Sequence, residues 1–433
     1  MTPREQERLP LLKRLGPGLI TGAADDDPSG IATYSQTGAQ YGYGLLWSVL
    51  LTTPLMIGIQ IVSARIGRVT GHGLAANIRD HYPPWLLHGI VGLLLFANTI
   101  NIAADLGAMG NALEMLVGGA SEIYIVSFAL LSLTLQVFVP FPRYAPLLKW
   151  MTLALLGYVG AVFMVHVPWT EASMAALFPR PQFRADYIAT LVAVLGTTIS
   201  PYLFFWQASQ EVEEQRATPG HEPLREAPDQ AAEHLDRIKV DTWIGMLFSN
   251  GIALCIMLTT AATLHVQGIS NIETAEQAAA ALRPIAGDFA FLLFSAGIIG
   301  TGLLAVPVLA GSAAYAVAES RRWPIGLGLP LLQARGFYAI LAAATLIGVA
   351  VDFTDIDPIK ALILSAVVNG VIAVPIMVVM MLLAVKPDVM GPFVVKRRLL
   401  VLGWLSTAVM MWLTIVWPCP EVGKSQSRGS TAQ

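Results

Sequence analysis

The chain predicts an all-α polytopic membrane protein of about eleven transmembrane helices, built as an inverted repeat with its first and sixth spans broken. Three observations predict this. Of the 433 residues 55% are hydrophobic and only 13% are charged, whereas soluble domains carry roughly 25% charge. The charges crowd between apolar runs long enough to cross about 30 Å of hydrocarbon. Two of those runs are interrupted in mid-length by Pro, Gly and polar residues, the mark of helices that unwind inside a membrane.

In chain order the spans are expected near 16–41, 45–69, 85–109, 121–139, 145–166, 187–211, 240–265, 287–315, 336–352, 358–384 and 399–417. Ahead of them, residues 1–15 alternate charges (Arg4, Glu5, Glu7, Arg8, Lys13, Arg14). No small-residue cleavage site follows, so the first span is expected to be retained rather than cut as a signal peptide. The expected organisation is a cytoplasmic segment 1–15, a membrane domain 16–417 and a polar tail 418–433. Within the membrane domain, spans one to five and six to ten form the two repeats, with the eleventh peripheral. Most of the 26 Lys and Arg residues lie on the side of the N-terminus, which places that end in the cytoplasm and fits a bacterial inner (plasma) membrane. The longest polar connection, Glu211 to Lys239, carries Pro219-Gly220, Pro223 and Pro228 and reads as a solvated loop, with a short helix from Ala231 to Ile238 leading into span seven.

The composition also excludes classes. A net charge of -3 with no basic run beyond Lys396, Arg397 and Arg398 leaves no nucleic-acid surface. Two cysteines, Cys255 and Cys419, make neither a disulfide framework nor a thiolate cage, so any metal is held by oxygen. An intramembrane hydrolase needs paired acids or a His cluster within the spans, and no enzyme is expected. No cofactor is expected either; the lipid bilayer is the expected surrounding.

The chemistry concentrates at the breaks. The first holds Asp25, Asp26 and Asp27 followed by Pro28, Ser29 and Gly30, and the sixth holds Gly196, Thr197, Thr198, Ile199, Ser200 and Pro201. Five spans separate them, an odd number, so the two halves lie inverted. A break frees carbonyls, and a buried acid beside them invites a desolvated cation. Asp27 before Pro28 is also a good helix start. Asp25 and Asp26 turn away by about 100° per residue and are expected to be solvated vestibule charges or partners of a basic group.

Several stretches in order resemble the NRAMP family of divalent metal transporters, whose fold is similar to that of the leucine transporter LeuT. Asp27-Pro28-Ser29-Gly30 resembles that family's Asp-Pro-Gly-Asn. Gln60 to Leu74, Ala104-Asp105-Leu106-Gly107, Asn250 to His265 and Gly300 to Ala314 resemble its second, third, seventh and eighth spans.

The resemblance implies a metal site of Asp27, Gly30, Thr197, Ser200 and Asn369, with Asp105, Tyr202 and Gln207 at positions of coupling or gating. It also marks departures. Gly30 stands for the family's Asn, Ser200 for its Met, Tyr202 and Gln207 for its two His, Ala108 for its second acid, and Ala366 for a Gln that Asn369 replaces one turn away. Loss of the soft sulfur favours hard ions, and small residues leave room for the water that Mg²⁺ retains. The pattern resembles the NRAMP-related magnesium transporters, so the expected cargo is Mg²⁺ or Mn²⁺.

With both His gone and Asp105 the surviving acid of its pair, transport is expected to be uncoupled from protons. A proton-coupled Mn²⁺ and Fe²⁺ symporter is the alternative. An organic-solute carrier of the same fold is the alternative of another class, against which three acids at the break argue. Ser200 has a structural role open to it in meeting carbonyls that Pro201 frees, and Asp105 one as a partner to a neighbouring span.

Overall fold

A computed structural model describes residues 17–139, 143, 152–353 and 357–416. The expected segments 1–15 and 418–433 lie outside the described residues, as does the start, 145–151, of the expected fifth span. The first span is two helices, α1 (Pro17–Asp25) and α2 (Pro28–Tyr41). α3 (Leu46–Thr70) follows, then the short α4 (Leu74–His81), α5 (Pro84–Val117), α6 (Ser121–Phe138) and α7 (Leu156–Met164). α8 (Trp169–Leu177) turns away from the preceding helix by 117°. The sixth span is again two helices, α9 (Ala185–Thr198) and α10 (Pro201–Ala217). α11 (Ala231–Thr260), α12 (Ala290–Arg321), α13 (Arg335–Asp352), α14 (Pro358–Ala384) and α15 (Arg397–Val416) complete the described residues.

By length and hydropathy, nine helical runs among the described residues can cross a membrane, or ten with the bent pair 153–177. One of them, Pro28–Thr70, contains a reversal. Gly38 of α2 lies against Thr260 of α11 and Gly42 against His265, whereas the far end of α3 meets the start of that region through Leu224 N–H to the Arg68 carbonyl, 3.3 Å. α2 therefore runs parallel to α11 and α3 antiparallel to it, which brings the spans to the expected eleven.

Both breaks fall where they were expected, because each ends in a proline at the first position of the next helix. Proline lacks the N–H that a helix start leaves unbonded anyway, while it cannot continue the preceding helix. The repeats interlock: α2 packs along α11, the second helix of the other repeat, and α10 packs along α3. α5 and α12 pack extensively against one another behind them. The loop after the sixth span is shorter than expected, since α10 runs on to Ala217 and the segment from Ala231 is continuous with α11.

Candidate metal centre

Asp27 lies at the meeting point of the two breaks and is 2% exposed. It caps α2: its Oδ1 accepts the Gly30 N–H at 2.7 Å, and Ser29 anchors the same turn to α14 through the Leu362 carbonyl (2.9 Å) and Ser365 Oγ (3.0 Å). The other oxygen, Oδ2, accepts the side-chain amide of Asn101 on α5 at 2.9 Å. Asn101 in turn accepts the Asn369 amide from α14 at 3.3 Å. Capping and a place at the centre of the fold thus coincide in one carboxylate.

The second break supplies the facing wall. Tyr202 reaches across to donate to the Ala24 carbonyl at 3.0 Å, and its oxygen lies 3.5 Å from Asp27 Oδ2. A phenol from α10 thereby satisfies a carbonyl that the first break released. Ser200 turns its hydroxyl back onto the Gly196 and Thr197 carbonyls at 2.8 and 2.9 Å, so its proton is committed to the chain while its lone pairs remain. Gly196 sits against the Ala366 carbonyl, and this close contact of α9 with α14 brings Asn369 to the centre.

Gly30 is not the roomy position expected. A Cβ there would lie 3.1 Å from Thr197 Oγ1 and 3.4 Å from the Asp25 carbonyl, tighter than ordinary side-chain contact. The small residue serves the approach of the two broken helices. Gln207 is also apart from the centre: it accepts from Gln60 at 2.7 Å and donates to Thr242 at 3.2 Å, joining α10 to α3 and α11.

Asp25 and Asp26 differ most from expectation. They are buried, at 0% and 1% exposure, and carry no ion pair among the described residues. Ser249 on α11 lies 2.5 Å from Asp25 Oδ2 and 3.1 Å from Asp26 Oδ1. α11 covers them because glycines let the helices touch: a Cβ on Gly22 would fall 2.4 Å from the Gly245 carbonyl carbon. Asp105 on α5 is fully buried, near Asp27 and within reach of the backbone N–H of Ser29 at the first break. Among the described residues no three Asp, Glu, His or Cys side chains converge into a metal-holding group. Asp27 is instead surrounded by amide and hydroxyl groups from α2, α5 and α10.

A cavity of about 430 Å³ opens on one side of the molecule, lined by Ala32, Ala108, Asn111, Glu114, Glu276 and Leu362 among others. Its floor lies a helical turn from the centre, since Ala108 follows Asp105 by three residues and Leu362 is the partner of Ser29. Acidic residues at such a mouth raise the local concentration of cations.

The sequence profile described as natural resistance-associated macrophage protein-like, Nramp, matches residues 18–417. The chain belongs to the Nramp family. Relatives include the divalent metal cation transporter MntH of Pectobacterium carotovorum, 28% identical over 369 residues and covering 82% of each chain. Another is MntH of Deinococcus radiodurans, 28% identical over 432 residues, 96% of this chain and 91% of the other. Among solved structures, the Eremococcus coleocola manganese transporter aligns with a TM-score of 0.72 at 17% identity, over 96% of this chain and 87% of that one. Mhp1, a nucleobase-cation-symport-1 transporter in a closed conformation, aligns at 0.55 and 13% identity over 94% and 93%. The family fold is thus the LeuT-like inverted repeat that the two breaks imply.

Asn101 is the residue that the sequence reading of the family's motifs passed over. Its signal was a polar side chain in the middle of an apolar span, where such groups are costly and serve a purpose.

Proposed function

We propose that this protein carries a divalent metal cation across the membrane by alternating access, with Asp27 as the charged ligand. One observation carries the reading. Four carboxylates, those of Asp25, Asp26, Asp27 and Asp105, are buried around the first break, and none has a basic partner among the ion pairs of the described residues. Buried charges are costly unless compensated, and a divalent cation supplies two positive charges at once.

The names of the relatives support a transition metal such as Mn²⁺, which carboxylate, carbonyl and water oxygens suit well. Mg²⁺ is a second reading, favoured by Ser200 in the position of a thioether. Against transport uncoupled from protons stand two further acids, Asp25 and Asp26, buried near Asp27. With Asp105 next to Asp27, the reading now includes a proton moving with the ion.

The test is uptake of Mn²⁺, Mg²⁺ and Ca²⁺ into proteoliposomes under an imposed potential, with internal pH followed by an entrapped dye. Protein-dependent Mn²⁺ entry with internal acidification is expected. Absence of entry for all three ions overturns the reading.

A further inference from the structure

Asn101 is fully buried in the middle of α5, and Asn369 is 1% exposed on α14. The first donates its amide N–H to Asp27 Oδ2 and accepts the Asn369 amide N–H on its carbonyl oxygen. The chain of bonds ends on an orphan: Asn369 Oδ1 is buried with no hydrogen-bond partner. Buried acceptors without donors are rare and call for an explanation.

The arrangement has a simple electrostatic logic. With no cation present, a carboxylate oxygen attracts the N–H side of a neighbouring amide and repels its oxygen. A cation between them reverses that preference, because both oxygens then face positive charge. The Asn side chain has nearly the same shape in both orientations, so half a turn about its last torsion exchanges donor for acceptor at no cost in volume. That turn would also release Asn369, whose amide is bonded to Asn101.

We propose that Asn101 stands in for the cation on Asp27 when the site is empty, and turns its carbonyl oxygen to the ion when the site loads. The proposal rests on the reading of Asp27 as the cation ligand. The Asn101 bond ties the first span to α5 and, through Asn369, to α14. Loading replaces that tie with the ion. The residue therefore acts both on affinity and on the return of the empty carrier.

The experiment uses full-length protein purified in detergent for calorimetric titration with Mn²⁺, and the same protein in proteoliposomes for KM and maximal uptake. Asn101→Leu removes donor and acceptor at similar volume; Asn101→Asp keeps an oxygen and removes the donor. Asn101→Leu is expected to weaken Mn²⁺ binding by about tenfold or more, in the range seen when groups supporting a metal ligand are lost. Asn101→Asp is expected to bind at least as tightly as wild type while its maximal uptake falls by about tenfold.

Wild-type affinity and KM in Asn101→Leu overturn the proposal, as does an Asn101→Asp protein that binds as weakly as Asn101→Leu. If Asn101→Leu does not fold, the Asn101→Asp titration decides alone, and binding weaker than wild type overturns it. A wild-type protein that binds neither Mn²⁺ nor Mg²⁺ instead defeats the reading of Asp27, and is told apart because no variant is then needed.

Discussion

Asp241 on α11 accepts the backbone N–H of Gly18, the second residue of α1, at 2.6 Å. It also takes the Leu19 N–H at 3.1 Å. The first N–H groups of a helix have no partner within it, and a carboxylate there answers both the hydrogen bonds and the helix dipole. One turn on, Gly22 meets Gly245 backbone to backbone. α1 is thus fastened to α11 by a cap supplied from the other repeat and by a contact that only small residues permit. On this side of the molecule α1 closes tightly against α11.

Gly22→Ala tests that closure. The added methyl would fall 2.4 Å from the Gly245 carbonyl carbon and 2.6 Å from its Cα, distances that backbone cannot relieve without α1 lifting. Overpacking of this kind costs about 1–3 kcal/mol. The variant is expected to melt earlier, and Leu19→Cys, in a background with Cys255→Ser and Cys419→Ser, is expected to react faster with a thiol reagent. Unchanged melting together with unchanged labelling would show that α1 is not held at this contact.

Asp27→Ala is expected to abolish divalent uptake and Mn²⁺ binding while the protein stays monodisperse. The fold should tolerate the change, since loss of a cap costs about 0.5–2 kcal/mol and the Ser29 bonds to α14 remain. Titration and uptake on the purified variant check it. Mn²⁺ entry at the wild-type rate would remove Asp27 from the centre.

Selectivity should respond to the second break. Ser200→Met restores a soft sulfur, and the ratio of Cd²⁺ to Mg²⁺ affinity is expected to rise by about tenfold or more, following the preference of thioethers. Gly30→Asn behaves differently: its Cβ meets Thr197 Oγ1 at 3.1 Å, so alone it is expected to lower stability. Thr197→Ala added to it should recover the loss. Competition titrations and melting curves measure both effects, and a wild type that already binds Cd²⁺ far more tightly than Mg²⁺ contradicts the hard-ion character of the centre.

The breaks were legible because Asp-Pro and Ser-Pro leave local marks that no packing can hide. Asp27 followed from the same marks. What stayed hidden depends on residues far apart in the chain. Asp25 and Asp26 were expected to be solvated or paired with a basic group, but their burial is decided by Ser249 and by Gly245 against Gly22, more than two hundred residues along the chain. Gly30 read as open space because a missing side chain looks the same whether water or a second helix fills the gap. Asn101 lay outside the stretches compared with the family, and its role shows only when α1, α5 and α14 are brought together.

Asp105→Asn tests the movement of protons. Asp105 is fully buried, near Asp27, and one helical turn before Ala108, which lines the cavity. A carboxyl group in that place can pass a proton between the cavity and the centre, whereas an amide of the same shape cannot. Packing is preserved by the substitution, so Mn²⁺ binding is expected to stay within about threefold of wild type, a change of well under 1.4 kcal/mol. Internal acidification during Mn²⁺ uptake is expected to disappear. Acidification that continues undiminished would take Asp105 off the proton route, and a wild type that moves Mn²⁺ with no acidification would restore uncoupled transport as the better account of this carrier.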